Sequence, residues 1–142
     1  MRISDVLKHK GDRVVTVSPD ETVASLIRML DDHGIGAMVV STDGRTVSGI
    51  VSERDVVRHL HSDGPALLDR AVSSIMTAEV HTCAPGDAVD DLMRVMTERR
   101  VRHIPVVVDG GLAGIVSIGD VVKHRINELT SERDHLTAYI SG

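Results

Sequence analysis

The chain is poor in several residue types, and each shortage excludes a class of protein. Its 142 residues include one aromatic side chain, Tyr139, so bases cannot stack on aromatic platforms as they do in single-strand nucleic-acid binders. The single cysteine, Cys83, cannot build a disulfide framework. No apolar run reaches about 18 residues, the length of a membrane-spanning helix, and the N-terminus lacks a signal peptide's apolar stretch. We therefore expect a cytoplasmic protein that does not enter the membrane.

The remaining composition is that of a folded domain without an obvious catalytic motif. Hydrophobic residues make up 42% and charged residues 26% of the chain, as in globular proteins. A formal net charge of −5 argues against nucleic acid as a partner. The motifs G-x-x-x-x-G-K-[ST], G-x-G-x-x-G and G-x-S-x-G do not occur. The eight histidines lack zinc-ligand spacing. We expect neither an enzyme nor a metal site.

The chain consists of two copies of one unit. A shift of 66 residues aligns VVTVSP at 14–19 with VHTCAP at 80–85. A shift of 65 aligns GIVSERDVVRH at 49–59 with GIVSIGDVVKH at 114–124, where eight of eleven positions are identical. Because two copies are too few for a solenoid, the repeat predicts a pseudo-symmetric pair.

Hydrophobic periodicity and capping signals predict the order β-α-β-β-α in each copy. In the first copy the elements are a strand at Val14–Val17, a helix capped by Ser18 and ended by Gly34, strands at Ala37–Ser41 and Val47–Val51 joined through Asp43-Gly44, and a helix from Ser52. In the second copy they are a strand at 80–83, a helix at 88–99, strands at 103–108 and 112–116, and a helix from Ser117.

The repeats suggest how the chain is divided. The first repeat is predicted at 1–62 and includes an N-terminal helix. A linker at 63–71 leads to the second repeat at 72–126, which begins with a short helix at Val72–Met76. Residues 127–142 form a C-terminal helical extension. The last helix carries an apolar stripe at heptad spacing, interrupted by Arg133: Val122, Ile126, Leu129, Leu136 and Ile140. This stripe either packs on the chain's own core or pairs with a second copy of the protein.

The third strand of each copy ends in the pattern G-h-h-[ST]-x-x-D, seen as GIVSERD at 49–55 and GIVSIGD at 114–120, and RHIPVV stands at 102–107. Over residues 1–126 the chain resembles a tandem pair of CBS domains, the Bateman module named for cystathionine β-synthase. The resemblance implies an α/β fold of two pseudo-symmetric repeats packed through their sheets. It also implies a regulatory homodimer that binds AMP, ADP, ATP, NAD(H) or S-adenosylmethionine derivatives and relays occupancy to an unidentified partner. A structural dimerisation module without a nucleotide ligand is the alternative.

Each G-h-h-[ST]-x-x-D pattern places a serine and an aspartate in the first turn of a helix. They are Ser52 and Asp55 in the first copy, and Ser117 and Asp120 in the second. Unpaired N–H groups and the helix dipole attract phosphate there, and a carboxylate can accept hydrogen bonds from both hydroxyls of a ribose. Because S-x-x-D is also a variant of the capping box, capping alone is the alternative.

The two copies differ at the predicted phosphate contacts. The resemblance assigns these contacts to Arg102 and His103, and the guanidinium fork of arginine suits phosphate. The alternative is that these cations simply lie at a solvated helix end. The first copy has Gly36 and Ala37 instead, with Arg54 as its only compensating cation. We therefore expect the stronger site at Asp120, Arg102 and His103, and a second ligand, or the other half of a dinucleotide, near Asp55.

The resemblance also places adenine between aliphatic side chains and main-chain groups. In the second copy this wall would comprise Val80, Thr82, Ile104 and Ile115. In the first copy it would comprise Val14, Thr16, Met38 and Ile50. Pro105, Gly36 and Ala37 are further predicted ligand-binding residues. Each of these residues can instead belong to the core.

Overall fold

The structure is a computed structural model that describes residues 1–10 and 14–141, with Ser141 described by its backbone only. It confirms a mixed fold of helices and strands in two similar units. The helices are α1 (Ile3–Lys10), α2 (Val23–His33), α3 (Glu53–Asp63), α4 (Val89–Arg99) and α5 (Ile118–Ser141). The strands are β1 (Thr16–Val17), β2 (Ala37–Val40), β3 (Gly49–Ser52), β4 (His103–Val108) and β5 (Gly111–Ser117).

Each repeat builds its own small sheet. In the first, β1 pairs in parallel with β2, and β2 pairs antiparallel with β3. In the second, β4 and β5 are antiparallel. The predicted strand at 80–83 is wrong, because only Cys83 in that stretch pairs, through an isolated parallel bridge to Val106. Likewise the predicted strand at 14–17 shortens to Thr16–Val17.

The first long helix, α2, ends as predicted but begins four residues late. Gly34 ends it in the left-handed region at φ 62°, which glycine adopts without strain. The predicted cap at Ser18 is wrong, since Oγ1 of Thr22 accepts the backbone N–H of Ser25 at 3.1 Å. The segment between them is a turn in which the amide of Glu21 donates to the carbonyl of Ser18. The carbonyl of Glu21 in turn accepts from Val72 at 2.8 Å, so this backbone pairs with another segment instead of extending the helix.

The two repeats exchange their leading segments. Ile3 and Val6 of α1 are buried in the core of the second repeat, among side chains of α4, β4 and β5. Val72 and Ile75 are buried in the core of the first repeat. Val72–Met76, which was predicted to lead into the second repeat, thus packs on the first core, and α1, which was predicted in the first repeat, packs on the second. Each short helix completes the other unit's core.

The segment predicted as a linker, 63–71, is part of the packed fold. After α3 it continues as a 3₁₀ helix over Gly64–Asp69, and Leu67 is fully buried in the first core. Two glycines permit the close approach of the exchanged segments. A Cβ on Gly49 would lie 2.7 Å from Sδ of Met76, and a Cβ on Gly114 would lie 2.9 Å from Cδ2 of Leu7.

The last helix, α5, has two distinct apolar faces. Val121 is buried in the second core. The heptad stripe, by contrast, is 47 to 81% exposed at Val122, Ile126, Leu129, Leu136 and Ile140. The alternative in which this stripe packs on the chain's own core is therefore wrong. Across the part of the chain that the structure describes, no helix is both long and apolar enough to cross a membrane.

Candidate functional site

The two S-x-x-D motifs lie where a strand turns into a helix. At the start of α5, Oδ2 of Asp120 accepts the N–H of Ser117 at 2.9 Å, and Oγ of Ser117 accepts the N–H of Asp120 at 3.1 Å. At the start of α3, Asp55 accepts from Ser52 at 2.8 Å, with the return bond at 3.4 Å. Both motifs therefore form the predicted caps, because each side chain satisfies a free helix-end donor, and this does not decide between capping alone and an additional ligand contact.

Capping does not use the whole of either carboxylate. All described hydrogen bonds to the carboxylates of Asp55 and Asp120 end on Oδ2, and Oδ1 accepts none from the described residues. A carboxylate has about four acceptor positions. The side chain of Asp120 is 25% exposed, and Asp55 is half-buried. Both groups can therefore accept further hydrogen bonds from a bound molecule.

The second aspartate has a cationic neighbour that sequence reasoning missed. Nζ of Lys10, at the end of α1, lies 2.6 Å from Oδ2 of Asp120 and donates to the carbonyl of Ile115 at 2.8 Å. Burial raises the pKa of Asp120, but hydrogen bonds from Lys10 and Ser117 outweigh it, so that the pKa lies below its ordinary value. Asp120 is therefore ionised at neutral pH. The exchange of α1 onto the second core brings this ammonium to the site.

Arg102 and His103 stand at the start of β4, directly beside the start of α5. His103 pairs with Ser117 in the sheet, and the carbonyl of Arg102 accepts the N–H of Ile118 at 2.8 Å. The side chain of Arg102 is exposed and that of His103 is half-buried. Burial lowers the pKa of His103, and the positive charges of Lys10 and Arg102 lower it further. The negative charges of Asp120 and Glu53 raise it by less. His103 is thus a neutral imidazole at pH 7, and Arg102 is the exposed cation.

The two repeats meet beside this group. A Cβ on Gly36 would lie 3.9 Å from Cε1 of His103 and 3.2 Å from Oε1 of Glu53. The structure therefore brings Gly36 of the first repeat next to His103 of the second. A further link is the backbone hydrogen bond from Leu112 to the carbonyl of Arg45, at 2.7 Å. Glu53 also belongs to this junction, but no sequence signal places it there, because Gly36 and Glu53 lie on different elements.

The predicted adenine wall, with Pro105, Gly36 and Ala37, divides into buried and accessible residues. Ala37, Met38, Ile104 and Pro105 are buried, and Met38 and Ile104 belong to the two cores. Their side chains present no surface to a bound molecule. The remaining positions keep accessible surface: Val14, Thr16, Gly36, Ile50, Val80 and Ile115 are half-buried, and Thr82 is exposed. The residues of this second group keep the accessible surface that a wall requires.

Other polar candidates are less organised. Arg54, the predicted compensating cation of the first copy, is exposed at the start of α3. Burial raises the pKa of the Cys83 thiol to about 12, with Asp87 adding to the shift, so Cys83 acts as a small hydrophobic residue. Over residues 1–10 and 14–141, no three side chains among His, Cys, Asp and Glu are grouped so that they could hold a metal ion.

The chain thus contains two similar units. In each, a helix is followed by an antiparallel strand pair and a second helix with an S-x-x-D cap, and each unit's leading segment packs on the other's core. The family model for the CBS domain matches residues 3–62 and again 72–127. The chain therefore belongs to the CBS domain family, as the motif at 114–120 indicated.

Similar proteins support this assignment along nearly the whole chain. The CBS domain-containing protein CBSX3, mitochondrial, of Arabidopsis thaliana is 38% identical over 148 residues, which cover 99% of this chain and 72% of that protein. The crystal structure of the CBS-domain protein ATU1752 from Agrobacterium tumefaciens has a TM-score of 0.85 at 46% identity, covering 88% of this chain and 99% of that one.

A more distant structure shares the fold. The CBS domain pair of protein MJ0100, solved in complex with 5′-methylthioadenosine and S-adenosyl-L-methionine, has a TM-score of 0.77 at 21% identity. The match covers 87% of this chain and 98% of that one. At this identity the likeness concerns the fold alone.

Proposed function

We propose that this protein is a regulatory module that binds an adenosine-containing ligand, AMP, ADP, ATP or NAD(H), where its two repeats meet. The observation that carries the proposal is Asp120, an ionised carboxylate held at the start of α5 with one oxygen free of described donors. Its free oxygen suits a ribose hydroxyl, and the neighbouring Arg102 and His103 suit the attached phosphate. The adenosine ligands of the MJ0100 pair are consistent with this class of ligand.

The site at Asp55 is the weaker of the two in this account. Gly36 and Ala37 stand where the second repeat has Arg102 and His103, and Arg54 is the nearby cation. A second ligand, or the other half of a dinucleotide, would bind there. The remaining members of both sites would be the accessible wall residues Val14, Thr16, Val80, Thr82 and Ile115.

Relay to a partner requires that the ligand binds one arrangement of the repeats better than another. Contact between Gly36 and His103 gives a physical basis, because a molecule bound at His103 also touches the first repeat. In this proposal the protein is cytoplasmic, acts on a partner protein, and regulates that partner rather than catalysing a reaction.

We further propose that the protein is a homodimer. Four apolar side chains on α2, α3 and the turn between α2 and β2 are 37 to 66% exposed: Ile27, Ile35, Val57 and Leu60. Three of them line a groove of about 520 Å³. Contiguous exposed apolar surface on a folded chain marks an interaction site. The exposed stripe of α5 provides further apolar surface of the same kind.

One observation favours the alternative of a purely structural module. Both aspartates cap their own helices, and Lys10 already pairs with Asp120, so neither carboxylate needs a ligand to be satisfied. In that case the repeats only supply a dimerisation surface.

A thermal-shift panel with AMP, ATP, NADH and S-adenosylmethionine separates the two functions. A ligand at 100 times its Kd stabilises the folded protein by about 2.7 kcal/mol, which raises the Tm of a chain of this size by roughly 5–10 °C. The proposed function predicts such a shift with at least one phosphorylated ligand. No shift with any of the four would favour the structural module.

A further inference from the structure

The ion pair between Lys10 and Asp120 ties α1 to the candidate ribose contact. The ammonium is held by two acceptors, Oδ2 of Asp120 at 2.6 Å and the carbonyl of Ile115 at 2.8 Å. The two side chains are 34% and 25% exposed, so a molecule from solution can reach the pair. Salt bridges at such exposure contribute little to stability, which leaves room for a role in binding.

Lys10 occupies the oxygen that a ribose would share. A diol that binds a carboxylate in a bidentate manner places one hydroxyl on each oxygen. Oδ2 of Asp120 already accepts from Ser117 and from Lys10. A bound sugar must therefore either share Oδ2 with the ammonium or displace it. In both cases the positive charge stays within a few ångströms of the ligand.

The surroundings of the pair leave this charge without a second acidic partner. A cavity of about 210 Å³ between α1 and α5 is lined by both members of the pair. Its other polar lining residues are His9, Lys123, His124 and Asn127, none of which is acidic. An ammonium displaced from Asp120 by a sugar would need another anion, and a ligand phosphate provides one.

The first repeat lacks this cation. Met76 corresponds to Leu7, because each lies against the equivalent glycine, Gly49 or Gly114. The same offset of 69 residues places Glu79, an acidic residue, at the position of Lys10. All described hydrogen bonds to the carboxylate of Asp55 come from Ser52. The two sites thus share a carboxylate and differ in the charge beside it.

We propose that Lys10 is the residue by which the second site selects adenosine ligands that carry a negative charge over uncharged ones. The inference rests on the proposed function, because it assumes that Asp120 binds a ribose. Two unit charges about 5 Å apart at a partly exposed site change binding by roughly tenfold. Lys10 therefore contributes about that factor to the preference for AMP over adenosine.

The test is calorimetric titration of AMP and of adenosine into the wild-type protein and into Lys10→Met, which removes the charge and keeps an unbranched side chain. Lys8→Met is the matched control, since Lys8 lies on the same helix, is exposed, and makes no ion pair with a described residue. Lys10→Arg tests whether charge alone restores the preference. A thermal melt of each variant checks that it folds.

We expect Lys10→Met to lower the AMP-to-adenosine affinity ratio about tenfold, while Lys8→Met and Lys10→Arg keep it near the wild-type value. An unchanged ratio in Lys10→Met, or an equal loss in Lys8→Met, would overturn the inference and leave the proposed function standing. If the wild-type protein bound neither compound and gave no thermal shift with ATP or NADH, the proposed function itself would fall, and the role of Lys10 with it.

Discussion

Gly36 of the first repeat lies against His103 of the second, with a Cβ on Gly36 only 3.9 Å from Cε1 of the imidazole. The predicted phosphate contact therefore borders the other repeat. A molecule bound at His103 fills space that both repeats line. In the proposed function, this proximity would let occupancy of the site affect how the repeats are arranged.

A side chain at Gly36 should weaken ligand binding without unfolding the protein. In Gly36→Val the new atoms would meet His103 and the flexible carboxylate of Glu53, which can move. We expect AMP affinity to fall roughly tenfold. Gly34→Ala is the matched control: it has open space but φ 62°, so it should cost about 1 kcal/mol of stability and leave affinity unchanged. Equal AMP affinity in Gly36→Val and wild type would show that the ligand lies elsewhere.

The pH dependence of stability should report the buried state of His103. Because burial lowers the pKa of His103, the unfolded chain binds more protons than the folded protein between that lowered value and about 6.5. Stability contributed by neutral His103 is therefore lost as the pH falls through this window.

Urea unfolding of wild type and His103→Gln between pH 5 and 7.5 measures this effect. In the difference between the two free energies of unfolding, the contributions of the other seven histidines cancel. We expect the free energy of unfolding of His103→Gln to rise relative to that of the wild type as the pH falls. A difference that stays constant over the range would contradict a lowered pKa for His103.

Two equivalent glycines should differ in their sensitivity to alanine. At Gly49 a Cβ would meet the carbonyl oxygen of Thr77 at 2.8 Å, and backbone cannot yield easily. At Gly114 it would meet a methyl group of Leu7 at 2.9 Å, which can change rotamer. We expect urea unfolding to show a loss of about 2–3 kcal/mol for Gly49→Ala and about 1 kcal/mol for Gly114→Ala. Gly86→Ala should be neutral, and a larger loss at position 114 than at 49 would contradict the packing described.

The exposed apolar groove should be needed for dimer formation. Val57 is 66% exposed on α3 and lines the groove, so Val57→Glu would bury a charge in the proposed interface. Sedimentation velocity should show a wild-type dimer and a dissociation constant raised roughly 100-fold or more in the variant. Arg58→Glu is the matched control, because Arg58 is exposed at the neighbouring position of the same helix and does not line the groove. If added negative charge alone weakened the dimer, this variant would weaken it as well. A wild-type protein that stays monomeric at tens of micromolar would contradict the dimer.

Sequence patterns predicted the features that depend on neighbouring residues. Gly34 ended α2 because glycine adopts a left-handed conformation locally, and the S-x-x-D pairs capped α3 and α5 because their partners lie three residues apart. Internal repetition then fixed the two-unit architecture. Identical motifs in both copies also located the two aspartates that the candidate sites share.

Features that depend on distant contacts were missed. Ser18 has all the signals of a cap, yet Glu21 pairs with Val72 and the helix begins later. The exchange of α1 leaves no local pattern, so Lys10 could not be placed beside Asp120, 110 residues away. Only the packing of α1 on the second core shows which aspartate Lys10 accompanies.

The most direct test of the account compares AMP with 2′-deoxy-AMP by calorimetric titration into wild type and Asp120→Asn. If Asp120 binds both ribose hydroxyls, wild type should prefer AMP by about tenfold, which is about 1.4 kcal/mol, and Asp120→Asn should lose most of that preference. Asp91→Asn, an exposed aspartate on α4, should behave as wild type. Equal affinity of the wild-type protein for the two nucleotides, or a preference that survives in Asp120→Asn, would contradict a sugar contact at Asp120.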